Sequence, residues 1–181
     1  MTRLSAHLAA DPAQPLRETS DYAAISAELR RIGAHFDRWA IPVGLDPAAD
    51  ADAVLAAYAK PTAYLCKARG YQTTDVVRVP RGAPDAAAMR TKFLAEHTHS
   101  EDEARFFVEG SGCFYLRDDD QVIVLACTAG DLLLIPAGTR HWFDMGVDPC
   151  FTAIRFFNRP EGWVANFTGD PIAERFPAFA G

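Results

Sequence analysis

The sequence predicts an all-β domain, a sandwich or small barrel, with α-helices added at its N-terminal end. Three observations predict this architecture. The length of 181 residues fits one compact domain, helix-like apolar spacing occurs before residue 72, and short β-branched and aromatic runs follow from Thr73. We therefore divide a single domain, 1–181, into a mainly helical N-terminal segment (1–72), a β-barrel core (73–158) and a C-terminal tail (159–181).

The composition excludes several functional classes. Hydrophobic residues make up 49% and charged residues 23% of the chain, a balance that favours a packed core over disorder. The formal net charge is -6 and no dense Lys or Arg run occurs, so we expect no nucleic-acid partner. No apolar run approaches the roughly 20 residues that span a bilayer, so we expect no membrane partner. The simplest expectation is a soluble, cytoplasmic monomer.

Two helices are predicted in the N-terminal segment. The first begins at the capping pair Ser20-Asp21, and its apolar positions recur three or four residues apart, at Ile25, Leu29, Ile32 and Phe36. The second follows Asp46-Pro47 and should stop or kink near Pro61. Its apolar side carries Val54, Leu55 and Tyr58.

The β-region begins with the run 75–79. Further strands are predicted for residues 93–99, 103–109, 112–116, 121–127, 131–135 and 151–158. The segments 109–112 and 118–120 carry Gly or Asp and are predicted as hairpin turns. The Ala-rich patch 85–88 is predicted as a loop or one helical turn. We expect a meander or Greek-key strand order.

Three of the five histidines lie in this β-region and carry the strongest functional signal. His97, His99 and Glu103 share the odd-numbered phase, so their side chains point to the same strand face. His141 follows a strand and the bend Pro136-Ala137-Gly138, from which it can approach the same point. Three neutral imidazoles and one carboxylate suit Fe(II), Ni(II), Co(II), Mn(II) or Zn(II). The sequence thus predicts a site for one divalent transition metal.

Other interpretations of the histidines exist. His97 and His99 could be solvent-facing strand residues, with Glu103 an ordinary charged residue of a hairpin. His7 is predicted in a loose N-terminus and His35 on a helix, so we expect neither to bind metal.

Three charged neighbours accompany the predicted ligands. Arg105 lies two residues beyond Glu103 and hence on the same strand face. Glu96 and Asp102 have the opposite phase, which favours hydrogen bonds to the ligand histidines over direct coordination. Solvated surface carboxylates are the alternative for both acids, and a structural salt bridge is the alternative for Arg105.

Two spaced motifs resemble those of the cupin family. They are His-x-His-x3-Glu-x6-Gly over His97–Gly110 and Gly-x5-Pro-x-Gly-x2-His over Gly130–His141. The longer segments HTHSEDEARFFVEG (97–110), HWFDMG (141–146) and PEGW (160–163) resemble bacterial acireductone dioxygenases. This resemblance implies a cupin-type double-stranded β-helix, or jelly-roll barrel.

The same resemblance implies a reaction. An acireductone dioxygenase cleaves an enediol of methionine salvage, 1,2-dihydroxy-3-keto-5-methylthiopentene, with dioxygen, and holds one Fe(II) or Ni(II) per chain. The iron form gives formate and 2-keto-4-methylthiobutyrate, and the nickel form gives formate, carbon monoxide and methylthiopropionate. The resemblance also implies that Arg105 stabilises the substrate dianion, that Glu96 assists metal incorporation and that Asp102 relays local conformational change.

The methylthio tail of such a substrate needs an apolar wall. Candidates near the motif ends are Phe93, Phe107, Phe143 and Trp163. Phe107 shares the inward phase of Glu103 and Arg105, although any of these aromatics could belong to the core instead. Alternative functions are another cupin dioxygenase or isomerase, or a cupin that binds a small ligand without turnover.

Overall fold

Strands dominate the part of the chain that the computed structural model describes, residues 1–41, 45–46, 48–159 and 163–181. Pro47 of the second predicted helix and residues 160–162 of the PEGW segment lie outside this part. The strands are β1 (Arg3–Leu8), β2 (Asp11–Thr19), β3 (His35–Arg38), β4 (Thr73–Val79), β5 (His97–Thr98), β6 (Glu103–Asp118), β7 (Gln121–Thr128), β8 (Asp131–Ile135), β9 (His141–Asp144), β10 (Phe151–Phe157) and β11 (Asn166–Phe167). The helices are α1 (Tyr22–Arg31), α2 (Ala51–Ala57), α3 (Ala59–Arg69), α4 (Ala86–Leu94) and a 3₁₀-helix (Pro171–Arg175).

Two antiparallel sheets share the long strand β6. The first sheet has the order β11-β5-β9-β6-β7-β1-β2, and the second has the order β4-β10-β6-β8-β3. Residues 103–110 of β6 pair in the second sheet, and residues 111–118 pair in the first. The prediction of an all-β barrel with N-terminal helices is confirmed, whereas β8 and β9 both return to β6, so the strand order is not a meander.

Gly110 marks the corner where β6 passes from one sheet to the other. Its φ is 73°, and a Cβ built on it would lie 1.9 Å from the carbonyl oxygen of Cys150 and 2.7 Å from the Cα of Phe151. Glycine alone combines that backbone angle with so close an approach. The hairpin turn predicted at 109–112 is therefore wrong, because Gly110 bends one continuous strand. The turn predicted at 118–120 is confirmed, since Asp118 pairs with Gln121 across it.

Replacing Gly110 by alanine is expected to destabilise the fold by about 3 kcal/mol or more, because the methyl group collides with the backbone of residues 150–151. Chemical denaturation of the metal-free variant measures the loss. Gly82→Ala is the matched control, since Gly82 has a φ of 71° but no atom within 4 Å of the added Cβ. Equal losses for the two variants would show that backbone strain, and not the close approach, matters at Gly110.

Apolar layers cover both faces of the sheets. The barrel interior contains Phe107, Phe114 and Phe143, α2 and α3 pack on the second sheet, and the C-terminal segment packs on the first. Because β6 contributes to every layer, its side chains are buried in both alternation phases from residue 103 to 108 and from 112 to 116. None of the helices within the described residues is long and apolar enough to span a membrane.

The N-terminal segment contains strands that the sequence did not predict. β1 and β2 form a hairpin, and β1 extends the first sheet by pairing with β7. Leu4 and Ala6 are buried on the core side of β1, so alternation over this short segment was the missed signal. The prediction of a loose terminus for His7 is wrong, because this residue lies in β1 and its ring hydrogen-bonds Ser5. The description of residues 1–72 as mainly helical is incomplete for the same reason.

The first predicted helix ends earlier than its apolar spacing suggested. Asp21 caps α1 as expected, through a 2.8 Å bond from the amide of Ala24. Gly33, with a φ of 78°, then reverses the chain, and Phe36 enters β3 opposite Leu133. The prediction of a helix at His35 and Phe36 is therefore wrong. Helical spacing and strand alternation both place Phe36 on a buried face, and the sequence alone cannot choose between them.

Two further helix boundaries differ from the predictions. Pro61 does not stop a helix but lies in the first turn of α3, where proline's missing N–H is unpaired in any helix. The Ala-rich patch at 85–88 continues into α4, which ends at Leu94. The strand predicted for residues 93–99 is therefore reduced to His97–Thr98, since Phe93 is helical.

Candidate metal centre

Four side chains predicted as ligands converge at one end of the barrel. His97 in β5 pairs directly with His141 in β9, His99 follows β5, and Glu103 begins β6. The three histidines each offer a ring nitrogen within 4.8 Å of the others, and Glu103 Oε2 lies 3.1 Å from His141 Nε2 and 3.3 Å from His99 Nε2. All four residues are buried.

Backbone carbonyls orient the three imidazoles. Nδ1 of His97 donates to the carbonyl of Ala95, Nδ1 of His99 to that of Val164, and Nδ1 of His141 to that of Thr139, at 2.7–2.8 Å. A neutral imidazole that donates from Nδ1 is an acceptor at Nε2. The rings are thus held with their lone pairs aimed at a common point.

The chemistry of these donors fits a divalent transition metal. If both rings are neutral, Nε2 of His99 and His141 faces the Glu103 carboxylate as acceptor against acceptor, an arrangement that is stable only when a proton or a metal ion lies between them. One proton cannot satisfy three convergent nitrogens and a carboxylate. Three imidazoles with one carboxylate form a ligand set that iron, nickel, cobalt, manganese or zinc accepts.

Burial and neighbouring charge keep His97 and Glu103 in the form that binds metal. Burial, with the nearby His141, lowers the pKa of His97 to about 4. Burial alone would raise the pKa of Glu103, but Arg105 and hydrogen bonds from His141 and His99 hold it well below its usual range. His99 differs, because burial is outweighed by its bond to Glu103, which raises its pKa, so a bound metal would have to displace the proton that this bond favours. At neutral pH His97 is therefore uncharged and Glu103 ionised, as metal binding requires.

Arg105 lies beside the ligands, as its strand phase predicted. Its guanidinium is 3.0 Å from Glu103 Oε1, and its Cζ lies 4.4 Å from the ring centroid of Phe143 and 5.5 Å from that of Trp163. The side chain is 6% exposed, and its Nε has no hydrogen-bond partner among the described residues. A salt bridge to a carboxylate is thus present, but the carboxylate is that of the predicted ligand Glu103.

Glu96 and Asp102 do not hydrogen-bond the ligand histidines. The buried Glu96 carboxylate accepts bonds from Arg117 (3.2 Å) and Thr168 (2.6 Å), and Asp102 Oδ1 accepts one from the amide of Ala137 (2.9 Å). The predicted bonds are wrong because backbone carbonyls already take the three Nδ1 protons. The alternative of a solvated surface carboxylate is also wrong for Glu96, which is 1% exposed.

A cavity of about 540 Å³ opens onto the metal centre. Its wall includes Phe93, Phe143 and Trp163 of the predicted pocket. Phe107 is absent from the wall, and the prediction for it is corrected. It faces inward, but deeper in the barrel, where it packs on Phe114, Phe143 and Phe151.

Several cavity residues escaped the sequence analysis. They are Asp75, Lys92, Arg155, Phe157, Val164, Ala165 and Phe167. The alternation of Arg155 and Phe157 along β10 places them on one face and was an available signal. Which strand they would face depends on a pairing between residues about fifty positions apart, which spacing does not reveal.

Comparison with known proteins gives one consistent result. A sequence profile of the ARD/ARD′ family matches residues 10–165. The chain is 54% identical over 179 residues to an acireductone dioxygenase of Parvibaculum lavamentivorans, which covers 99% of this chain and 97% of the relative. It is 46% identical to an acireductone dioxygenase of Stenotrophomonas maltophilia, again with 99% and 97% coverage.

A solved structure with a similar fold belongs to the same family as these relatives. It is an acireductone dioxygenase from Bacillus anthracis, described with a cadmium ion in its active center, and it superimposes with a TM-score of 0.81 at 27% identity. The match covers 92% of this chain and 98% of the other. The expected cupin-type barrel and the resemblance drawn from the motifs are both confirmed.

Proposed function

The chain belongs to the acireductone dioxygenase family, and from this premise we propose that it cleaves 1,2-dihydroxy-3-keto-5-methylthiopentene with dioxygen in methionine salvage. One observation carries the proposal: three imidazoles, the Glu103 carboxylate and the Arg105 guanidinium meet in a single cavity. The cavity joins a metal-binding donor set to a cation suited to an anionic enediol. The reactants are one small molecule and dioxygen. The oligomeric state is a separate matter, and the monomer stays a prediction.

We infer that His97, His99, Glu103 and His141 hold one Fe(II) or Ni(II) per chain. When bound, such an ion would act as a Lewis acid that attracts the enediolate oxygens and promotes their reaction with dioxygen. The chain's own contribution is orientation, because carbonyl bonds fix each imidazole before metal arrives.

The choice of metal would select the products. With iron the expected products are formate and 2-keto-4-methylthiobutyrate, and with nickel they are formate, carbon monoxide and methylthiopropionate. The donor set accepts both ions, and intrinsic affinity favours nickel, so we propose that metal supply decides the outcome.

Arg105 is proposed to stabilise the doubly deprotonated enediol. Its guanidinium is buried beside the donor set, where a charge interacts more strongly than in water. Its Nε, which has no hydrogen-bond partner in the described part of the chain, is a donor available to a substrate oxygen. The substrate's methylthio tail would contact the apolar wall formed by Phe93, Phe143 and Trp163.

Glu96 and Asp102 keep their proposed supporting roles. Glu96 precedes His97, and its bonds to Arg117 and Thr168 hold a buried carboxylate on the segment that carries this ligand, which supports a role in metal incorporation. Asp102 joins the segment before Glu103 to the turn before His141 through the amide of Ala137. That bond couples two ligand-bearing segments, as a relay of conformational change requires.

Reconstitution tests the function directly. Metal-free protein is loaded anaerobically with Fe(II) or Ni(II) in separate samples, and acireductone and oxygen are then added. We expect oxygen uptake in both samples and carbon monoxide only with nickel, measured by an oxygen electrode and by gas chromatography. Tight metal binding without oxygen uptake would contradict the proposal and indicate another cupin enzyme or a binding protein.

A further inference from the structure

The cavity carries a net positive charge before any metal binds. Its wall contains three cations, Lys92, Arg105 and Arg155, and two anions, Asp75 and Glu103, which leaves a balance of +1. The cations lie at graded depth. Lys92 is exposed, the side chain of Arg155 is 26% exposed and that of Arg105 is 6% exposed. Such a gradient attracts an anion toward the metal centre.

Arg155 occupies an unusual position for a cation. In the second sheet it lies directly opposite Arg105, on neighbouring antiparallel strands β10 and β6. Directly opposed like charges destabilise a sheet. The repulsion between two arginines in this arrangement must be offset by neighbouring negative charge.

Each arginine has a carboxylate partner of its own. Arg155 donates two hydrogen bonds to Asp75 on β4. Its Nε bonds Oδ1 at 2.8 Å, and its Nη2 bonds Oδ2 at 2.5 Å. Glu103 holds Arg105. Both guanidiniums also lie against the Trp163 ring, with their Cζ atoms 5.5 and 5.7 Å from its centroid. The two guanidiniums therefore lie in the same cavity wall, and each is held by a carboxylate and by the ring of Trp163.

We propose that Arg155 is a substrate-positioning residue that makes the cavity select the doubly deprotonated enediol over its singly deprotonated form. This inference rests on the proposed function. A dianion interacts with both guanidiniums at once, so it relieves their mutual repulsion, whereas a monoanion can neutralise only one of them. The second proton of the enediol passes to the medium when the dianion binds.

A purely structural role is the rival explanation. The Asp75–Arg155 pair also fastens β4 to β10, and its loss could disturb the cavity indirectly. The ionisation state of bound substrate separates the two roles, because strand fastening has no direct effect on how strongly the enediol holds its second proton. The ultraviolet spectrum of an enediol changes with each deprotonation and therefore reports that state.

The test compares Arg155→Gln with a matched control, Arg78→Gln. Arg78 lies on β4, is 30% exposed, and also contacts β10 through a 3.0 Å bond to Thr152, but it is outside the cavity wall. Each metal-loaded protein is titrated anaerobically with acireductone across a pH series while the spectrum is recorded. Metal content, kcat and KM are measured on the same samples.

For Arg155→Gln we expect substrate binding to weaken by about 10-fold to 100-fold, with a matching rise in KM and unchanged metal content. The bound substrate should also lose its second proton at higher pH than in the wild type. Arg78→Gln should behave as the wild type, and Asp75→Asn, which keeps the cation, should leave the ionisation of bound substrate near the wild-type value.

Other results would overturn the inference. If Arg155→Gln binds the dianion as the wild type does, Arg155 does not select it. If Asp75→Asn reproduces every change of Arg155→Gln, the pair only fastens the strands. A wild-type protein that neither binds nor consumes acireductone would instead refute the proposed function, and this inference with it.

Discussion

His97→Ala and His141→Ala are each expected to abolish metal retention. The two residues face each other across β5 and β9 and supply two of three convergent ring nitrogens. Loss of a residue that only orients a ligand already weakens binding by about 10-fold to 100-fold, so loss of a ligand should weaken it by more than about 100-fold. Metal analysis after dialysis measures the retained ion, and oxygen uptake should fall with it.

The controls distinguish loss of a ligand from loss of the fold. His35→Ala removes an exposed histidine on β3, outside the metal centre, and should keep its full metal content. Circular dichroism of the metal-free proteins should be the same for all variants. Stoichiometric metal in His97→Ala or His141→Ala would show that the altered residue is not a ligand.

Arg105→Ala is expected to keep the metal but lose turnover. Its guanidinium is the buried cation nearest to Glu103, and removal of one group that stabilises a developing negative charge lowers kcat by about 100-fold to 1000-fold. The measurement is kcat with iron and with nickel at equal metal content. An unchanged rate would show that the assigned role in stabilising the dianion is wrong.

The interpretation of Arg105→Ala needs a stability control. Breaking a buried ion pair leaves Glu103 uncompensated and can cost about 3–5 kcal/mol, which bound metal should partly offset. Arg105→Lys keeps the charge but not the planar fork, so it should retain the fold and regain part of the rate. If the metal-loaded alanine variant is unfolded, the lysine variant alone decides whether charge or fork geometry matters.

Much of the β-region could be predicted because its signals are local. The strands Gln121–Thr128 and Asp131–Ile135 agree with their predicted bounds to within one residue, and the two-residue turn before Gln121 follows from its aspartates. The hairpin β1–β2 was missed because one buried alternation, Leu4 and Ala6, is too short to stand out. The ends of α1 and α4 were misplaced because apolar spacing alone does not show where a helix gives way to a strand.

By itself the sequence predicted, from spacing and alternation, which four side chains converge and the inward direction of Glu103 and Arg105, and its motifs carried the resemblance to the family. These properties depend on neighbours within a few positions, where a strand's two-residue repeat applies. Only the tertiary structure decided that β5 lies against β9, that Arg155 faces Arg105, that Phe107 belongs to the core, and that carbonyls orient the imidazoles. Each of these contacts depends on which distant strands pair and on how deep a side chain lies in the barrel. Both are decided when the strands close into a barrel, and the local order of residues does not reveal them.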